Sequence, residues 1–448
     1  MIWGVTNNYE LSTMPHICSP TVLKGAFIVQ LAIQNVGKIL NATVKIDGIT
    51  VIAGNNNTGK STIGKVLYCL YEGFYDLENR VIRSRVNAII RELSAKSPRR
   101  RPLRERQSLI SELVAVIAEA DDVESAVLRI WDILSPHLGD SDVDTDIRND
   151  FFERIRNALL LPDFDIKRDL IQSVVRDEFG DSVAHVNHST PETSFELTIK
   201  GEILKLSFDR NMLHSFAQPF DIYSQAILID TPIVLDDIPG NYWLSARHRD
   251  ALIGILSDDD YRASEDNSDN SVSRILIEKK LSNVYEKLSQ ISKGKFIKAP
   301  NGEMQYKEDG LTKGLDMSSL SNGMKSFLII RKLLENGYLR EKGVLIFDEP
   351  EIHLHPEWQL AFAEVIVLLQ KEFDLSVVVT THSAYFLFAI EVFSARHGIA
   401  DKCNYYLSEI ADDNSVAVLN DVTGNLEPIY EKYLKPFQDL ENMRWRDA

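Results

Sequence analysis

The stretch Val51–Thr62, VIAGNNNTGKST, leaves the chain little freedom in choosing a fold. Ile49 to Ala53 read as a short buried strand, Gly54 to Gly59 as a glycine-bounded turn, and Lys60 to Leu70 as a helix. The pattern G-x-x-x-x-G-K-S is met in full by Gly54, Gly59, Lys60 and Ser61. A phosphate chain needs that spacing: loop N–H groups point inward, and the helix N-terminus adds partial positive charge. Lys60 then reaches the β- and γ-phosphates, and the Ser61 hydroxyl is placed as a Mg²⁺ ligand. Gly54, Asn55, Asn56, Asn57, Thr58, Gly59, Lys60, Ser61 and Thr62 are the candidate nucleotide-binding residues.

Composition narrows the class. The 448 residues exceed one ordinary domain, and 44% apolar with 26% charged residues is the balance of a soluble globular protein. No run approaches the roughly 18 apolar residues of a membrane span. The N-terminal segment lacks the basic and apolar regions of a signal peptide, so a cytoplasmic location without a membrane partner is expected. Cys18, Cys69 and Cys403 lie far apart with no C-x-x-C pair, which argues against a zinc site or a disulfide framework. A net charge of −17 disfavours a chain coated in nucleic acid, although a local basic patch can still bind DNA.

The chain divides by pattern. Residues 1–25 carry no periodicity and read as a mobile leader. Within 26–73, Phe27, Val29, Leu31 and Ile33 alternate, Gly37 breaks the run, and Ile39, Ala42, Val44 and Ile46 resume it, a hairpin ahead of the loop strand. Residues 74–190 read as an inserted helical arm. Its apolar stripes are Val86, Ile89, Ile90, Leu93, then Leu109, Leu113, Ile117, then Val127, Ile130, Leu134. Between its first two helices lie Arg99, Arg100, Arg101, Arg104 and Arg106. This run reads either as a solvated loop or as a contact to DNA phosphates or an acidic partner; without interleaved aromatics the solvated loop is favoured. Residues 191–255 return to strands, with a hairpin around Gly201 and an apolar strand at Ala226–Ile229. Residues 256–295 comprise an acidic, serine-rich loop and a helix striped by Ile277, Leu281, Val284, Leu288 and Ile291, ending at Gly294.

Residues 296–448 carry the remaining chemistry. Ser321 and Gly323 precede a helix expected at Phe327–Leu334, and a serine and a glycine at a helix N-terminus form an anion-binding end. GVLIFDEPEIHLHPEWQ supplies a buried strand, Val344–Phe347, ending in Asp348 and Glu349. Two carboxylates at the carboxyl edge of a parallel sheet lie where ligands bind in open α/β folds. Asp348 is the candidate metal ligand with Ser61, and Glu349 the candidate group that polarises an attacking water. A further helix, Trp358–Glu372, leads to the strand of LSVVVTTHS, which delivers His382 to the same edge as a candidate contact to the γ-phosphate. His353 and His355 lack an evident third ligand and read as a loop at a dimer face.

Taken in order, GNNNTGKST, LSNGMKS, VLIFDEPEIHLHPEWQ and TTHS resemble the ABC-type ATPase heads of the structural-maintenance-of-chromosomes, RecF and overcoming-lysogenization-defect group. The resemblance covers about residues 26–70 and 310–410 and leaves the arm uncovered. It matches Gly54–Thr62 to Walker A, Leu320–Lys325 to the signature motif, Val344–Glu349 to Walker B, the region of His355 to the D-loop and His382 to the switch histidine. The fold it implies is α/β: an ABC-type P-loop NTPase head with an antiparallel β subdomain, a mainly parallel core sheet and an inserted helical arm. It also implies ATP and Mg²⁺ as cofactors, with Glu349 and His382 catalytic. Two chains, or a higher even-numbered oligomer, would sandwich the nucleotides, each held by Walker A of one chain and by Ser321 and Gly323 of the other. The signature departs from the transporter pattern at Asn322, and no Q-loop glutamine is evident beyond Gln225.

E-I-H-L-H-P-E-W-Q and the tail IYEKYLKPFQDLEN look most like stand-alone ATPases of bacterial anti-phage systems of PARIS or Septu type. That resemblance implies a regulator triggered by DNA or a phage protein and controlling a separate effector, a nuclease of Toprim or HNH type. Residues 383–448 follow His382, and with so short a stretch no nuclease centre of the chain's own is expected. The alternative is a DNA-repair or DNA-end-binding ATPase in which paired heads and the basic arm clamp DNA.

Overall fold

The computed structural model describes residues 29–96, 103–137, 145–185, 192–237, 246–257, 282–300, 304–411 and 416–446. The segment 1–28, Arg99–Arg101 and the greater part of the acidic loop lie outside them, as do the side chains of Arg104 and Arg106. No helix among the described residues is long and apolar enough to cross a membrane.

One sheet of 11 strands runs through the molecule, in the order β6-β5-β4-β1-β2-β14-β13-β3-β12-β11-β7. Its first half is antiparallel. The predicted hairpin is β1 (Val29–Val36) with β2 (Ile39–Lys45), and the pair around Gly201 is β4 (Glu192–Ile199) with β5 (Glu202–Asp209), extended by β6 (Met212–Ala217). Its second half is mainly parallel. β3 (Ile49–Gly54) lies between β12 (Ser376–Thr381) and β13 (Cys403–Ile410), while β11 (Val344–Asp348) lies between β12 and β7 (Ala226–Ile229), all in parallel register. β14 (Ala417–Asp421) joins the halves, antiparallel to β13 and parallel to β2.

Side-chain alternation explains why both faces of the parallel half are covered. Ile52, Leu228, Ile346 and Val378 face one layer, built on α1 (Lys60–Phe74). Val51, Ile227, Leu345, Phe347, Val377 and Val379 face the other, built on α9 (Asn322–Glu335), α10 (Pro356–Phe373) and α11 (Ala384–His397). β7, β11 and β12 are therefore apolar on both sides, with Asp348, Thr380 and Thr381 at the ends of β11 and β12.

Between α1 and β4 lie α2 (Leu77–Lys96), α3 (Leu103–Glu119), α4 (Val123–Leu134), α5 (Thr145–Leu160) and α6 (Asp163–Phe179). The first four form their own core, in which Val86, Ile89, Ile90, Leu109, Leu113, Val127, Ile130 and Leu134 bury the predicted stripes. α6 behaves otherwise: its Ile171, Val174 and Val175 join the layer of α1 in the head. Arg85 fastens the joint. Its guanidinium donates to the carbonyls of Ala158 and Leu159 at 2.6 Å and of Leu161 at 2.7 Å, and pairs with Asp163. A cation at the carbonyl end of α5 is where the helix dipole favours it.

Two stretches differ from their sequence reading. The helix α8, described over 282–291, ends before Gly294, which opens β8 (Gly294–Lys298) instead of closing the helix. β8, β9 (Met304–Glu308) and β10 (Leu315–Asp316) form a small antiparallel sheet. Its strands are short and half polar, and only Tyr306 is fully buried, so they carry no strong period-two signal. α9 begins at Asn322, ahead of the expected Phe327, because Ser321 caps it.

A buried ionic cluster ties α6, β7 and α7 (Arg247–Ser257) together. His248, 2% exposed, directs Nδ1 at Glu178 Oε2 over 2.7 Å and Nε2 at Asp230 Oδ2 over 3.2 Å. Arg249 holds Asp230 through Nε and Nη2. Burial works against charge on the ring, but the two carboxylates that face it, Asp230 and Glu178, outweigh it and hold the imidazole above the usual histidine range. With a raised folded pKa, this contribution to stability is complete below the ordinary histidine pKa of about 6.5 and is lost as pH rises through the folded value. The difference in melting temperature between the parent and His248→Gln is therefore expected to shrink as pH is raised from about 6 to about 9. A difference that stays constant or grows over that range contradicts a charged His248.

Candidate nucleotide-binding site

The phosphate loop is held from within and from below. Gly54 passes so close to β13 that a Cβ there would lie 2.3 Å from Ser408 O, so only glycine fits. The Thr58 hydroxyl and the Lys60 ammonium both donate to Asn55 O, at 2.9 and 2.8 Å, and the Ser408 hydroxyl donates to Thr58 O at 2.7 Å. Asn57 and Gly59 take left-handed backbone with φ of 64° and 87°. No side chain caps the start of α1 at Gly59. The N–H groups of that end thus stay directed at the loop concavity, the arrangement that binds anions. Asn55, Asn56 and Asn57 are exposed, whereas Thr58 and Lys60 are buried.

Strand register brings the downstream residues to this loop. Ala53 lies beside Thr381, and Thr380 lies beside Asp348, so the ends of β3, β12 and β11 form one row. The Ser61 hydroxyl donates to Asp348 Oδ1 at 2.9 Å, and the Thr380 hydroxyl donates to the same oxygen. Burial raises the Asp348 carboxyl above the usual range, and the charges of Glu349 and Asp230 add to the rise against the hydrogen bonds from Thr380 and Ser61. This edge carries more negative charge than its own cations neutralise, which fits a divalent cation held by Ser61 Oγ and Asp348.

Glu349 follows with φ of 49°, a left-handed conformation unfavourable for a side chain of this size. Its N–H is held by Thr380, to the carbonyl at 3.1 Å and to the hydroxyl at 3.0 Å. The turn aims its carboxylate inward, 3.4 Å from Lys60 Nζ and 3.5 Å from His382 Nδ1. Lys60, Ser61, Asp348, Glu349 and His382 therefore converge on one edge.

Ser321 and Gly323 are placed elsewhere. The Ser321 hydroxyl accepts from Met324 N at 3.3 Å, and a Cβ on Gly323 would lie 2.9 Å from His353 O and 3.1 Å from Trp358. Close packing of α9 on the loop after β11 thus accounts for that glycine. Among the described residues no hydrogen bond or ion pair joins Ser321 or Gly323 to Gly54–Thr62. His355 directly precedes α10 and makes no cap bond, and no group of three or more His, Cys, Asp or Glu gathers as a metal cluster among the described residues.

Four groups at this edge were not singled out from sequence. Thr380 orders both carboxylates, as described. Glu351, 2% exposed, accepts from the Thr381 hydroxyl and from His382 N at 3.0 Å, while its Oε2 has no hydrogen-bond partner among the described residues. Burial raises its carboxyl above the usual range. It stands two residues past Glu349 in the same run of carboxylates, the one signal that could have marked it. Asp230 directly follows β7, whose last residue Ile229 pairs with Phe347, and its charge acts on Asp348. Gln225 precedes β7, and because β7 is parallel to β11 it lies at the opposite, amino edge of the sheet, which removes it as a partner of the site. The fourth is Tyr433, whose hydroxyl accepts from Gly54 N at 2.7 Å across 379 residues of sequence.

Comparisons with known proteins give a family match over part of the chain and several distant structural likenesses. Residues 277–388, which include Ser321, Asp348, Glu349 and His382, match the family described as "AAA domain, putative AbiEii toxin, Type IV TA system". Among solved structures, the chain is similar to an Smc head bound to the C-winged helix domain of ScpA, at 13% identity over 88% of this chain and 97% of that one, with a TM-score of 0.39. It is similar to the SMC head domain from Thermotoga maritima at 11% identity, covering 88% and 98%, TM-score 0.37. It is also similar to a Pyrococcus furiosus Smc head with an extended coiled coil bound to the C-terminal domain of ScpA, at 12%, covering 93% and 99%, TM-score 0.39. These are distant likenesses, and the assignment of an α/β P-loop NTPase head rests on the strand order, the loop and the edge carboxylates described above.

Proposed function

We propose that the chain is an ATPase. The observation that carries this reading is the convergence of Lys60, Ser61, Asp348, Glu349 and His382 at the carboxyl edge of one parallel sheet. The loop N–H groups and Lys60 bind and orient the triphosphate. Ser61 and Asp348 would hold Mg²⁺, which when bound screens phosphate charge. Glu349, kept from Lys60 once phosphate competes for that ammonium, orients a water and takes its proton as the bond to the γ-phosphorus forms. His382 sits beside Glu349 and donates to the γ-phosphate oxygens, while the bond to ADP breaks and its electron pair stays on the leaving oxygen of ADP.

The site is completed by a second copy of the chain. Ser321 and the start of α9 supply an anion-binding end that the chain's own loop does not use, which supports an ATP-bound pair in which each copy caps the other's nucleotide. Coupled opening and closing of that pair then regulates a separate effector nuclease of Toprim or HNH type in anti-phage defence, with DNA or a phage protein as trigger. The family description, with its toxin and TA system, supports this setting. So do exposed apolar side chains on α11, Tyr385, Phe388 and Val392, which suit a protein partner better than solvent.

Lys60→Ala is expected to abolish ATP binding, measured by calorimetry. Glu349→Gln should keep binding, lose at least about a hundredfold in turnover, and shift to the dimer with ATP. Equal turnover in Glu349→Gln and the parent contradicts the assignment. For the cellular role, a tagged chain is expected to bring down a nuclease from cells challenged with phage and to bind bare duplex DNA weakly. Tight, salt-dependent DNA binding without a partner favours the DNA-end-binding reading instead.

A further inference from the structure

Among the described residues, the anchors of α12 (Glu427–Arg446) lie in its first two turns. Ile429 is fully buried, the Tyr430 hydroxyl donates to Glu391 Oε2 at 2.5 Å, and Lys432 pairs with Glu409 at 2.6 Å. Beyond them Leu434, Phe437, Leu440 and Met443 are exposed. The fourth anchor is Tyr433, and its placement is of another kind.

The ladder between β3 and β12 ends at Ala53 and Thr381. There the strands part, β3 into the phosphate loop and β12 toward His382. The Tyr433 hydroxyl sits in this fork. It accepts from Gly54 N at 2.7 Å and faces Thr381 O at 3.0 Å and Gly54 O at 3.3 Å. A hydroxyl has one proton to give and lone pairs to receive, so it accepts from Gly54 and donates to the nearer carbonyl, that of Thr381. It thereby replaces the next rung of the ladder with a side-chain rung. Burial pushes the phenol well above the usual tyrosine range, which keeps that proton in place.

We propose that Tyr433 is a positioning residue of the nucleotide site, which sets the spacing between the phosphate loop and the strand end that presents His382 and so couples α12 to the site. The inference rests on the ATPase reading above. Loop binding does not depend on this rung, because Ser408, Thr58 and Lys60 shape the loop independently. The alignment of His382 and Glu349 with the loop does depend on it. Loss of the rung should therefore lower turnover more than affinity.

Tyr433→Phe keeps the ring and removes the rung, and Tyr430→Phe removes another partly buried hydrogen bond of the same helix, one turn earlier, without touching the site. In steady-state kinetics Tyr433→Phe is expected to lower kcat about tenfold with KM for ATP changed by less than about threefold, while Tyr430→Phe keeps the parent's kcat. A parent kcat in Tyr433→Phe overturns the inference alone, as does an equal loss in both variants, which marks a merely structural helix. A parent chain that turns over no ATP overturns the ATPase reading and this inference with it. Should Tyr433→Phe not fold, hydrogen exchange in the parent decides: slower exchange of residues 427–433 with a slowly hydrolysed ATP analogue supports the coupling, and unchanged exchange overturns it.

Discussion

Everything at the site depends on the parallel pairing of β3, β12 and β11. Three strands that are apolar on both faces can only lie in the middle of a covered sheet, and parallel register forces their carboxyl ends to one side. The polar residues that end each strand then meet: the loop after Gly54, the pair Thr380 and Thr381, and the pair Asp348 and Glu349. Ser61 and Asp348 are 287 residues apart in sequence and share a hydrogen bond for this reason alone. The arm adds a core of its own and the antiparallel half shares the layer of α1, but neither sets the relation between loop and carboxylates.

The second consequence is electrostatic. Asp230, Asp348, Glu349 and Glu351 gather at the same end of the sheet against few cations. Lys60 answers Glu349, Arg249 and His248 answer Asp230, and burial raises the carboxyls of Asp348 and Glu351. A polyanionic ligand alone would worsen this balance; a nucleotide that brings a divalent cation relieves it. The left-handed Glu349 fits the same picture, since its strained backbone is kept in order to aim one carboxylate at Lys60 and His382.

Much of this was legible in the sequence because it is local. A strand, a glycine-bounded turn and a helix in twelve residues, VIAGNNNTGKST, define the loop, and an apolar run closed by Asp348 and Glu349 defines an edge. The helical stripes of the arm were equally plain. What could not be read was set by long-range placement. Gln225 and Asp230 flank the same strand, and only its direction in the sheet says which end meets the site. Tyr433 lies on a helix with mixed surface and reaches Gly54 across nearly the whole chain, with no pattern to announce it. The small sheet of β8, β9 and β10 escaped because its short strands bury too little for alternation to show.

Mixing two disabled chains separates the proposed shared site, built from two copies, from a site complete within one chain. Lys60→Ala removes the loop's grip but keeps Ser321, and Ser321→Arg keeps the loop but blocks the capping end. Each alone should be inactive. If the site is shared, mixing them restores ATP turnover, because a mixed pair holds one site with an intact loop and an intact Ser321. Turnover in the mixture no higher than in the separate variants, with the parent active under the same conditions, would contradict it.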